Sequence, residues 1–200
     1  MLTTDSIRWA ISRMHLAMEA AAGELNELDA ALGDGDLGVT LSRAAQRLLT
    51  DSSKLPDDVG MALFQCSQGF TGVTGSTYGA LLATGLMATA KVTRGQSAVP
   101  WTETSALLAA ALKAMAERGK GQLGDKTVLD ALEAARSATE GLDEPAALVA
   151  AAGSAVETAL AEFRDRPFRQ GRARIFGDKG LGRDDPGMVA FKRLVECLAG

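Results

Sequence analysis

No stretch of this 200-residue chain alternates apolar and polar side chains long enough to make a convincing strand. Apolar residues recur instead three and four apart, between glycine-rich breaks, which is the spacing of one buried helix face. Alanine is abundant, aromatics are scarce and β-branched runs are absent. That composition favours helices whose small side chains allow close packing. The expectation is an all-α fold of about eight helices in one domain covering 1–200.

The first helix is expected over about 5–22, with Ile7, Ile11, Met14 and Met18 in register and Thr4 or Asp5 as cap. A second, over 24–32, carries Leu25, Leu28 and Leu32, with Asp29 beside them. A third opens near Gly38 and uses Leu41, Ala45 and Leu48. A fourth holds Val59, Leu63 and Cys66 and ends in GFTGVTGS. A fifth begins at about Ser76 and a sixth covers about 102–117. Asp125 is expected to cap a helix with Val128, Leu129 and Leu132, and Pro145 sits in the first turn of the next. Residues 165–184 form a long basic, glycine-rich segment, and the last helix opens at Asp185-Pro186.

The stretch GDGDLG at 33–38 carries the chemistry. Asp34 and Asp36 lie among three glycines, with Asp29 five residues before Asp34. Carboxylates gathered this closely repel one another unless a cation neutralises them. All-oxygen ligands suit Mg²⁺ or Ca²⁺. A calcium loop beginning at Asp34 would put Ala45 where the bidentate glutamate belongs, so Mg²⁺ with phosphate oxygens fits better. Gly38, Val39 and Thr40 open a helix whose free N–H groups would face an anion. The competing reading is a capping turn, with Asp36 as cap and Asp29 and Asp34 merely solvated.

The other turns say less alone. TGVTGS at 71–76 offers the Thr74 and Ser76 hydroxyls but lacks the Gly-Lys-Ser/Thr ending of a P-loop. GDKT at 124–127 reads equally as a helix start. The cations at 164–183 read as a solvated loop or as a flap over phosphates. His15, the single histidine, falls near the apolar stripe of the first helix, so Ser-His and Cys-His chemistry is not expected. Cys66 and Cys197 read as buried thiols. A net charge of −4 argues against nucleic acid as a partner. No uninterrupted apolar run of spanning length is evident, and a soluble, cytoplasmic protein is expected.

Taken together and in order, LNELDAALGDGDLG, TGVTGSTYG, GDKTVLDAL and GRARIFGDKGLGRDDPG resemble the nucleotide-binding L subunit of dihydroxyacetone kinases. The resemblance covers nearly the whole chain. It implies a barrel of eight antiparallel helices binding ADP or ATP at one end through Mg²⁺, with two ions expected. By motif, Asp29, Asp34 and Asp36 would be the metal ligands. Leu37, Gly38, Val39 and Thr40 would cradle phosphates, and Val73 and Thr74 would meet the nucleotide. Gly119 and Val128 would lie along the adenine pocket, and Arg172 with Asp185, Pro186 and Gly187 would close the site.

Departures accompany the match. Family members carry His or Cys where this chain has Leu37, a Gly-Gly-Ala/Thr-Ser-Gly turn where it has Thr71-Gly72-Val73-Thr74-Gly75, and Ser where it has Arg174. No general base is evident. The resemblance implies that a separate K subunit holds the ketose on a histidine, and that this chain is inactive alone. In some members a phosphohistidine phosphotransferase protein recharges bound ADP; in others ATP exchanges. Two alternatives stand beside a dihydroxyacetone kinase subunit. One is the nucleotide-binding part of another kinase, of erythrulose or fatty-acid type; the other is a non-catalytic ADP-bound regulatory module.

Overall fold

The computed structural model describes residues 1–73 and 76–199, the side chain of Val73 excepted. The elements are β1 (Leu2–Thr3), α1 (Thr4–Ala30), α2 (Leu37–Asp51), α3 (Val59–Val73), α4 (Thr77–Val92), β2 (Ala98–Val99), α5 (Thr104–Gly119), α6 (Val128–Ala138), α7 (Pro145–Phe163) and α8 (Pro186–Glu196). Short 3-10 turns lie at Ser52–Lys54, Trp101–Glu103 and Arg172–Gly180. Each helix packs against the next in the chain, and α8 returns to pack on α1.

Most helix starts are written locally. Thr3 and Ser6 form a capping box at α1, Ser76 Oγ accepts from Gly79 N at α4, and Asp185 Oδ1 accepts from Met188 N at α8. Along α1 the buried set Ile7, Ile11, Met18 and Leu25 faces Leu41, Ala44, Ala45 and Leu48 of α2 within one apolar core. Met18, Leu25, Leu41, Val59, Val156 and Met188 lose all solvent contact there. At Gly38 a Cβ would stand 2.1 Å from the Ala22 carbonyl oxygen, so glycine sets how closely α1 and α2 approach.

Two expected boundaries move. The helices read over 5–22 and 24–32 are one helix, because Gly23 is exposed and the turns on either side bury Ala21 and Leu25. A glycine costs a helix about 1 kcal/mol, less than that burial returns. The cap of α6 is Thr127, paired with Asp130 in a capping box; Asp125 instead accepts from Gln122 N. Cys66 and Cys197 are buried and free, as expected. His15 keeps 14% of its side chain exposed, with Nε2 3.6 Å from Glu19, and its buried Nδ1 has no hydrogen-bond partner among the described residues. One described helix, Pro145–Phe163, is long and apolar enough to cross a membrane by length and composition alone.

The connections fall into two groups. Pro56 O accepts from the Thr4 hydroxyl, Gln96 O accepts from Val59 N, and Leu2–Thr3 pairs antiparallel with Ala98–Val99. These bonds tie together the α2–α3 and α4–α5 connections and the N-terminus. The other group comprises the α1–α2 turn, the start of α4, the α5–α6 turn and the α7–α8 segment. Its members meet one another through the contacts described next.

Candidate functional site

Asp29 projects from the last turn of α1, and Asp34 and Asp36 stand on the turn that follows. Each offers a carboxylate oxygen, and the three oxygens lie within 4.8 Å of one another. Gly35, at φ +75, bends the chain so that this is possible; only glycine takes that conformation cheaply. Gly33 presses on the same group, since a Cβ there would meet Asp29 Oδ1 at 2.7 Å.

The capping alternative fails at Asp36, whose side chain caps nothing. Side chains of α1 cap α2 instead. Asp29 Oδ2 accepts from Asp36 N at 3.0 Å and Leu37 N at 3.3 Å, and Asn26 Oδ1 accepts from Gly38 N at 2.8 Å and Val39 N at 3.2 Å. Thr40 N already donates to Asp36 O within the helix. The expectation of free N–H groups at Gly38, Val39 and Thr40 is therefore corrected: Asn26 of α1 takes the first two and the Asp36 carbonyl the third. The Leu37 side chain is in the core, 6% exposed, and its N–H donates to Asp29 Oδ2. Asn26 is the residue the sequence reading missed. Its signal is its place one turn before Asp29 on the same helix face.

Arg172 forms an ion pair with Asp34 across this turn. Its guanidinium holds the Asp34 carboxyl below the ordinary range, while Asp34, with Asp29 and Asp36 behind it, raises Arg172. Arg172 opens the 3-10 stretch Arg172–Gly180, which kinks at Gly177. The loop expected at 165–184 is thus partly ordered.

The same segment reaches the α5–α6 turn. Gly119 O accepts from Gln170 Nε2 at 2.9 Å, and Asp125 O accepts from Arg169 N at 3.1 Å. Val128 is 3% exposed, packed with Ala111, Met115, Leu129 and Leu132. Asp185 caps α8 with Pro186 behind it, and Gly187 O accepts from the Tyr78 hydroxyl at 3.1 Å. Burial pushes Asp185 up to about 7, against the Met188 N–H and the charge of Lys126. Thr74 and the Val73 side chain lie outside the described residues.

A family model described as the DAK2 domain matches residues 31–200. This chain belongs to the DAK2 domain family. The DAK2 chain is 26% identical to the Escherichia coli protein named PEP-dependent dihydroxyacetone kinase, ADP-binding subunit DhaL, over 98% of this chain and 95% of that one. It is 32% identical to the L-erythrulose 1-kinase of Mycolicibacterium smegmatis over 88% of this chain, spanning 32% of that protein. The solved dihydroxyacetone kinase from C. freundii in complex with AMP-PNP and Mg2+ shares the fold, with TM-score 0.76 and 24% identity, covering 98% of this chain and 33% of that one. The fold is mainly helical, as expected, and the relatives named here are kinases or kinase subunits.

Proposed function

We propose that this DAK2 chain is the ADP- or ATP-binding and Mg²⁺-binding subunit of a dihydroxyacetone-type kinase. The observation that carries the reading is the convergence of Asp29, Asp34 and Asp36 on one glycine turn, all-oxygen donors of the kind Mg²⁺ takes. The ADP-binding subunit named in Escherichia coli and the AMP-PNP and Mg2+ complex from C. freundii support it.

Phosphoryl transfer runs on positioning and charge neutralisation more than on covalent help from the protein. Asp29, Asp34 and Asp36 would hold one or two Mg²⁺ ions, which when bound neutralise polyphosphate oxygens. Asp29 is fixed for this by its bonds to the α2 N-terminus. Arg172, exposed at the same turn, would meet the phosphates bidentately. The start of α2, Leu37 to Thr40, adds the positive end of a helix dipole rather than free donors. Gly119, Val128 and the Asp185-Pro186-Gly187 turn, with Val73 and Thr74, would border the nucleoside.

The acceptor is a short ketose held by a separate K-type subunit, and this chain alone is inactive. A phosphohistidine phosphotransferase protein is the donor if ADP stays bound. The 32% identity to an L-erythrulose 1-kinase supports erythrulose as the competing acceptor. Titration of Mg-ADP into the protein by calorimetry, with and without chelator, tests the site. Co-purification from the native host, followed by phosphoryl-transfer assays on dihydroxyacetone and erythrulose, tests the partner and acceptor. No metal-dependent binding, or binding without any transfer in the presence of the recovered partner, would defeat the kinase reading.

A further inference from the structure

Lys126 is the one charged residue among the largest side chains that lose all contact with solvent, at 1% exposure. Its backbone sits at φ +62, in the left-handed region. Glycine would hold that conformation without cost, so a lysine there is explained by its side chain. The ammonium donates to Arg164 O at 2.8 Å, Arg166 O at 2.9 Å and Gly180 O at 3.4 Å, and lies 4.1 Å from the centre of the Phe168 ring. Three carbonyls and an aromatic face around one cation make a complete seat. The fit is tight, since a Cβ on Gly180 would stand 2.5 Å from the Phe168 ring.

These acceptors bracket Arg172. Arg164 and Arg166 precede it, and Gly180 closes the 3-10 stretch that it opens. Lys126 therefore gathers both ends of the segment whose middle reaches Asp34. We infer that Lys126 is a positioning residue: its buried ammonium clamps the two ends of the 164–180 segment so that Arg172 is held over the acidic turn. The role of Arg172 toward nucleotide rests on the proposed function; the clamp itself does not.

The test uses the full chain. Trypsin digestion without ligand, followed by mass spectrometry, reads opening of the segment at Arg172, Arg174 and Lys179. Lys126→Met is expected to speed cleavage there about tenfold, the effect of losing charge-assisted bonds to three backbone carbonyls, and Lys126→Arg to restore part of it. Calorimetry with Mg-ADP then compares Lys126→Met, Arg172→Ala and the double variant. Lys126→Met should weaken binding, and the double variant should bind no more weakly than the weaker single. Unchanged cleavage, or binding losses that multiply, would overturn the inference. Should Lys126→Met fail to fold by circular dichroism, Phe168→Leu carries the cleavage arm, and an unchanged rate there overturns it equally. If the unaltered protein binds no Mg-ADP, the nucleotide reading fails, and cleavage alone decides the clamp.

Discussion

Arg172 pairs with Asp34, joining the basic segment before α8 to the acidic turn after α1. Both side chains are more than half exposed, so the pair does little for stability and much for where a charge stands. Arg172→Ala is expected to leave the thermal midpoint unchanged and to weaken Mg-ADP binding; a fall in midpoint with affinity intact would reverse the assignment.

Asp36 and Asp29 should separate binding from folding. The Asp36 side chain caps nothing, so Asp36→Ala is expected to abolish Mg²⁺-dependent nucleotide binding with the unfolding curve unchanged. Asp29 also accepts two backbone N–H groups, so Asp29→Ala is expected to lose binding and about 1–2 kcal/mol of stability. Calorimetry and urea unfolding on both variants read the contrast.

Asn26 caps α2 from a neighbouring helix. Its replacement by alanine is expected to cost about 1 kcal/mol, as the loss of a helix cap does. Asn26→Asp keeps the acceptor but adds a charge one turn from Asp29, so it should recover only part of that in urea unfolding without Mg²⁺, and more of it at high salt, where the repulsion is screened.

Gly38→Ala tests the close approach of α1 and α2. The new methyl would overlap the Ala22 carbonyl, a backbone group that cannot turn aside. A loss of more than about 2 kcal/mol is expected from overpacking, visible as a lower urea midpoint. A variant as stable as the parent would mean that the helices part without cost.

Asp185 sets a pH dependence of known sign. Its carboxyl titrates near 7 when folded, facing Lys126 and Asp130, and near the ordinary aspartate value when unfolded. Between those values the folded state holds the extra proton, so this group's contribution falls as pH rises from about 4 to about 7, by at most roughly 1.4 kcal/mol per unit. Asp185→Asn keeps the cap and removes the titration. The variant should therefore gain on the parent across that window in unfolding experiments run at each pH.

The acidic turn was legible because its residues are neighbours in the chain and the glycines between them have no other use. The helices were legible from spacing, since apolar residues at Ile7, Ile11 and Met18 leave only one face to bury. What escaped was settled by partners distant in sequence or by burial. Nothing at Gly38 or Val39 announces that Asn26 will take their N–H groups. Lys126 looks like a surface lysine until residues 164–180 fold over it. Gly23 reads as a break because propensity is local, whereas the packing that carries α1 through it is not.

That unbroken α1 has an architectural outcome. Its 27 residues make a rod roughly 40 Å long at 1.5 Å per residue, with the acidic turn at one tip and the Leu2–Thr3 strand at the other. A protein joined ahead of Met1, or a bead holding the chain by that end, would stand a whole molecule's length from the carboxylates and leave their approach open.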